Sequence, residues 1–314
     1  MLRYLPFLLA TAAPALAQTV EIENFIGTVE IVEGTDLSIR GERDGTAELR
    51  GSSLLVDGGE STKRLNCRVD NSRVRIGKGG GLLGRGDLKP LSDYPTLRIT
   101  APDSTALVVR NSVVFGSASD LADVEFESRS CGRFAFGDVS DTFTVSQSGS
   151  GKITAGNVGQ ADLRTSGSGD FEIGDSETLR FSSSGSGDLA ARAVAGPASL
   201  RSSGSGDAVV TRVGDGLEFR SSGSGDLLLG RLDGAAELAS TGSGDVTIDA
   251  GEITGLDART TGSGDVDIGA SVRDAELRST GSGDFRLQSV TGRLDHRSTG
   301  SGSVTVAGER IKRR

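Results

Sequence analysis

The chain has no tryptophan, a single histidine, two cysteines and six prolines, and aromatic residues make up only 4% of it. Beyond the first seventeen residues the only tyrosine is Tyr94. A core built around a few large side chains is thereby excluded. One histidine, His296, and no CxxC pair leave no zinc-type ligand set, so no cofactor is expected. The formal net charge is −9, so the broad basic face that nucleic-acid binding requires is missing, and no nucleic-acid partner is expected. After the N-terminal segment no apolar run reaches the roughly twenty residues of a membrane-spanning helix, so no transmembrane segment is expected there.

The N-terminal segment itself is apolar. Met1-Leu2-Arg3 precedes an apolar run from Tyr4 to Ala13 and a small-x-small ending at Ala15 and Ala17. One positive charge, a short apolar core and that ending read as a secretory signal peptide over 1–17, cleaved before Gln18. The expected compartment is therefore periplasmic or extracellular. In an oxidising compartment Cys67 and Cys131 are candidates for a disulfide, the alternative being two buried thiols. The last residues, 309–314, form a small basic tail that reads as a solvated terminus.

What is abundant is glycine, 47 residues, and it is periodic. Gly-Ser-Gly begins at 149, 167, 185, 204, 223, 242, 262, 281 and 300, a spacing of 18 to 20 residues. Asp follows in seven copies, at Asp170, Asp188, Asp207, Asp226, Asp245, Asp265 and Asp284. Weaker copies at Ser130-Cys131-Gly132 and Asn111-Ser112-Val113 extend the frame upstream. Between the tripeptides apolar and polar residues alternate, as in Val246/Ile248 and Leu217/Phe219, which is strand periodicity.

A repeat this short cannot bury its apolar face alone. Stacking the repeats about 4.8 Å apart joins the inward residues into one core and satisfies each strand from above and below. The expected fold is all-β: a parallel β-helix, right-handed by the twist argument, with about 19 residues per rung over 96–308. The segment 18–95 has strand-like runs without the repeat. It reads as an irregular β cap that covers the open edge, with a glycine-rich loop near 78–87.

Identical offsets become ladders on a solenoid. One is the Asp series above. A second, three residues before the first Gly, holds Arg164, Arg201, Arg220, Arg259, Arg278 and Arg297, and a third is Ser/Thr, as in Ser202-Ser203 and Thr260-Thr261. Aspartates about 5 Å apart repel by roughly 0.8 kcal/mol in water and about 3 at an effective dielectric of 20. Pairing with the Arg ladder, capping of turn N–H groups, or Ca²⁺ would offset this. The calcium idea rests on a partial match to the Gly-Gly-x-Gly-x-Asp nonapeptide of calcium-binding β-rolls. His296 falls at the inward position of Leu277 and Phe219, as a tolerated polar residue near the last rung.

The Gly-Ser-Gly-Asp rungs, the preceding Arg-Ser/Thr-Ser/Thr and the signal peptide make the chain resemble the autotransporter adhesin family with a head GIN domain. The resemblance covers about residues 20–306. It implies an exported bacterial β-solenoid with an adhesin-like, non-enzymatic role and an envelope or surface protein or glycan as partner. The residues by themselves point the same way: a regular Arg/Ser/Thr/Asp surface suits a binding or scaffold role, and no catalytic residue stands out. The alternative is a polysaccharide-active β-helix enzyme, a lyase or hydrolase. Such an enzyme needs a distinctive carboxylate pair or metal cluster that breaks the repeat.

Overall fold

The computed structural model describes residues 18–41, 46–63, 65–70, 73–78 and 88–311. The expected signal peptide, the glycine-rich stretch 79–87 and the last three residues of the basic tail lie outside the described residues. The chain forms a parallel β-solenoid of about 11 turns. Among the described residues there is no α-helix, and a single 3₁₀ turn covers Leu91–Asp93.

Each rung carries one strand after the Gly-Ser-Gly corner and a second before the next corner. Leu189–Val194 and Ala198–Ser202 are one such pair, followed by Ala208–Val213 and Leu217–Ser221. In Leu227–Ser240, Val246–Thr260 and Val266–Ser279 the two merge into one bent strand. The bend needs a bulge, and Gly234, at φ +103°, supplies one where the ladder shifts register before Ala235. Registers run straight up the stack. Ala208, Leu227 and Val246 are consecutive partners on the first strand, and Leu200, Phe219, Leu238, Ala258, Leu277 and His296 are consecutive on the second. Every one of these is buried. Burying each large apolar member contributes about 1.5–3 kcal/mol before the entropy of ordering the chain is subtracted.

The corner glycines are fixed by approach, not by a left-handed backbone. A Cβ on Gly204 would stand 1.6 Å from the carbonyl oxygen of Gly185, and one on Gly206 would stand 2.1 Å from that of Gly187. Consecutive corners stack backbone on backbone, and any side chain in that column would force the rungs apart.

The stack also extends below the repeat. The strands up to residue 118 are β1 (Thr19–Glu23), β2 (Ile26–Glu33), β3 (Ser38–Gly41), β4 (Thr46–Arg50), β5 (Ser53–Asp57), β6 (Leu65–Asp70), β7 (Arg73–Lys78), β8 (Lys89–Pro90), β9 (Thr96–Ala101) and β10 (Ala106–Ala118). β1 and β2 run parallel to the two halves of β10, and β5 and β9 lie parallel beneath them. Residues 18–33 are thus a full solenoid layer, with Val20, Ile22, Val29 and Ile31 in the same core as the repeats. The boundary drawn at residue 96 falls within the lowest layer. The antiparallel strands β4 and β3 then close its two edges.

The sheet β6–β7–β8 packs on the outside of this end, where Ile76 meets Ile26, Val113 and Phe115. The Cys67–Cys131 disulfide, Cα–Cα 5.5 Å, ties it to the stack. Tyr94 donates its hydroxyl to the carbonyl of Ile76 at 2.9 Å.

Candidate binding surface

The Asp ladder is a chain of caps. Asp188 donates its N–H to Oδ1 of Asp170, Asp207 to Asp188, Asp226 to Asp207, Asp245 to Asp226, Asp265 to Asp245 and Asp284 to Asp265, at 2.8–3.1 Å. Ser303 closes the series on Asp284 with both N–H and hydroxyl. These bonds hold the Asp284 carboxyl below its ordinary value, the Ser303 N–H first among the causes. Each carboxylate therefore satisfies a corner N–H one rung higher. Among the described residues no group of three or more His, Cys, Asp or Glu side chains is placed to hold a metal ion.

The Arg ladder does not neutralise these aspartates, contrary to the pairing expected from shared parity. It binds a different acidic column, two residues earlier on its own strand. Arg164 pairs with Asp162 at 2.6 Å, Arg259 with Asp257 at 2.6 Å, and Arg278 with Glu276. Arg201 reaches up to Glu218 at 2.7 Å, and Arg220 bridges Glu218 and Glu237, both at 2.7 Å. Positions two apart on a strand share a face, whereas the ladder Asp lies around the corner. Arg220, Ser199 and Arg201 together hold the Glu218 carboxyl below its usual range, Arg220 contributing most. Asp265 and Asp284 have a cation of another kind, Arg286, at 2.8 and 3.0 Å. Arg297 has no carboxylate partner among the described residues.

The Ser/Thr ladder divides in two. The first residue of each pair points inward: Thr165, Ser221, Ser240, Thr260 and Ser279 are buried. Thr165 and Ser221 accept from the N–H of the corner glycine two residues on, as turn caps. The second residue of each pair, such as Ser203 or Thr261, is exposed. Only half of the hydroxyls expected on the surface are there, because inward parity persists to the corner.

Reading the sequence by its corners misses a long concavity. A groove of about 1080 Å³ runs along the start of the second strand from Thr142 to Asp295, across nine successive rungs. Nine rungs at strand spacing span about 38 Å. Its floor in the middle rungs is small: Pro197, Gly216, Ala235 and Gly255 occupy one column. Beside it stand Asp162, Glu218, Glu237, Asp257, Glu276 and Asp295, the acids bound by arginines. The floor is low because these positions carry little or no side chain where the strand bends, and Gly216 has φ +87°. The signal is present in the sequence as an acidic residue five positions before six of the nine corners.

Fold and surface define a class: a repetitive parallel β-solenoid that displays a long, shallow groove and rung-by-rung charge ladders. The chain belongs to the family described as "Putative auto-transporter adhesin, head GIN domain", whose model matches residues 95–230 and again 193–309. The overlapping matches follow from the repeat itself. No curated protein and no solved structure matches the chain. Membership makes it adhesin-like by family. Among the described residues no helix is long and apolar enough to cross a membrane.

Proposed function

We propose that the protein is a non-enzymatic, exported envelope protein that holds an extended surface glycan along its groove. The observation that carries this is periodicity. From Pro197 to Gly255 each rung adds a small floor residue, and most rungs from Asp162 to Asp295 add an acid–Arg wall. A periodic surface suits a periodic polymer. Two rungs advance about 10 Å, close to the length of an extended disaccharide unit. Carboxylates, guanidinium groups and the hydroxyls of Thr144, Thr178 and Ser199 supply directional hydrogen bonds to sugar hydroxyls. Many weak identical contacts add through avidity, with no single strong site required.

The non-enzymatic reading is supported by how the acids are held. Glu218, Glu237, Asp257 and Glu276 are each tied to arginine, unlike a carboxyl left free to shuttle a proton. Export through residues 1–17 places the groove in the periplasm or at the cell surface. Purified protein starting at Gln18, applied to immobilised bacterial and host polysaccharides, is expected to retain on extended acidic or neutral glycans. Glu218→Lys combined with Glu237→Lys is expected to lose that retention. Equal retention by the double variant, or release of shortened sugars by the wild type, overturns the proposal.

A further inference from the structure

Inside the stack every strand is hydrogen-bonded above and below, so the two ends leave edges that must be covered. At the N-terminal end both edges are closed, β5 by β4 and β9 by β3. At the other end Val304–Val306 is closed by the antiparallel Glu309–Arg310. The second-strand member, Leu294–Ser298, pairs with Val266–Ser279 through one edge and, among the described residues, with nothing through the other. Of the four terminal strands it alone is open among the described residues.

Two side chains on that strand lack the partners their columns have elsewhere. His296 is 6% exposed, stacked on Leu277, and its Nε2 has no hydrogen-bond partner. It lines a cavity of about 380 Å³ shared with Ser298, Ser303, Val304, Arg310 and Ile311. Burying an imidazole nitrogen without a partner is unfavourable. Apolar residues fill the five preceding rungs of this column, so a polar group is not required for the fold. Arg297 has no carboxylate, while Arg164, Arg201, Arg220, Arg259 and Arg278 all have one. The acid two residues earlier on its own strand, Asp295, is held by Arg293 at 3.5 Å, which leaves the place that Glu237 fills for Arg220, on the strand directly above. For Arg297 that place lies on a strand stacked over Asp295.

We propose that the open edge of Leu294–Ser298 receives an extended strand from a partner polypeptide, which adds to the stack as its next rung. Its main chain pairs along the edge, one carboxylate lies over Asp295 and is held by Arg297, and its inward side chain covers His296. Main-chain hydrogen bonds supply affinity and the alternate side chains supply selection, as in strand addition generally. The chemistry of the partner is thus an extended segment with an acidic residue two positions before the one that faces Arg297.

The test uses the full mature chain and a fluorescent peptide copying one of its own rung strands, Gly234-Ala235-Ala236-Glu237-Leu238-Ala239-Ser240, which sets Ala239 over Arg297. Saturable binding by fluorescence anisotropy is expected, with none for a scrambled peptide. Arg297→Glu is expected to weaken binding about fivefold to tenfold, in line with reversal of one exposed ion pair. A peptide carrying Lys in place of Glu237 is expected to restore binding to that variant. Arg259→Glu, a mid-stack member of the same ladder, is expected to bind the original peptide as the wild type does. Circular dichroism establishes that each variant is folded. Binding no better than the scrambled peptide overturns the proposal, as does an Arg297→Glu protein that binds normally or is not rescued by the Lys peptide.

Discussion

Substitution of one ladder aspartate separates capping from charge. Asp226 accepts the N–H of Asp245 at 2.8 Å, while its own N–H goes to Asp207. Asp226→Ala leaves the Asp245 N–H without its acceptor. At an exposed corner that resembles losing a helix N-cap, about 1 kcal/mol. The same change removes repulsion from the carboxylates one rung above and below. That relief is roughly 0.8 kcal/mol per neighbour in water and less at physiological salt. The two effects nearly cancel, so Ala is expected within about 0.5 kcal/mol of wild type. Asp226→Asn keeps an acceptor oxygen and gains the same relief, so it is expected to exceed Ala by about 1 kcal/mol. Urea unfolding followed by circular dichroism measures both, and the advantage of Asn over wild type is expected to shrink as salt rises. If Asn proves as unstable as Ala, or less stable, the carboxylate charge is required for its own sake and a bound cation becomes the better account of the ladder.

Other perturbations have simpler outcomes. Gly204→Ala places a methyl group 1.6 Å from the Gly185 carbonyl, and is expected to lower stability by more than about 3 kcal/mol, seen as a fall in thermal midpoint. An unchanged midpoint would mean that the rungs are not stacked backbone on backbone. Cys67→Ser is expected to cost about 4 kcal/mol for a closed loop of this length in the chain-entropy model. Limited proteolysis should then cut first within the β6–β7 region, and a protease pattern like the wild type's would show the disulfide to be unimportant. Asp284, whose folded carboxyl is held below its ordinary 3.8, contributes stability that is present above that value and lost as pH falls through its lowered folded value. Asp284→Asn is expected to flatten the decline of stability below about pH 4; an unaltered acid limb would refute that assignment.

The solenoid was legible because its constraints repeat. Gly-Ser-Gly marks the place where backbones touch, and alternation around it identifies Leu189, Ala208 and Leu227 as one column before any coordinates are seen. The N-terminal layers were not legible as solenoid. Their partners are distant in sequence, with β2 ending at Glu33 and β9 starting at Thr96, so the insertion between them erases the nineteen-residue spacing. Parity foresaw the outward Arg ladder but could not say which acids it meets. Both acidic columns face outward, and only the corner's bend puts the Asp series out of reach. For the same reason the sequence does not show the inward turn of Ser202 and its equivalents, since a hydroxyl beside a corner looks solvated in sequence. The groove depends on backbone curvature and on what Pro197, Gly216, Ala235 and Gly255 do not carry, which no motif records.

The most direct test of the binding account is calorimetric titration of the mature protein with a length series of the glycan that it retains. If the ligand lies along the rungs, affinity should rise with each added disaccharide until the chain spans the groove, about 38 Å, and then level off. Affinity that is independent of length, or unaffected by Glu218→Lys with Glu237→Lys, would contradict a groove-long site.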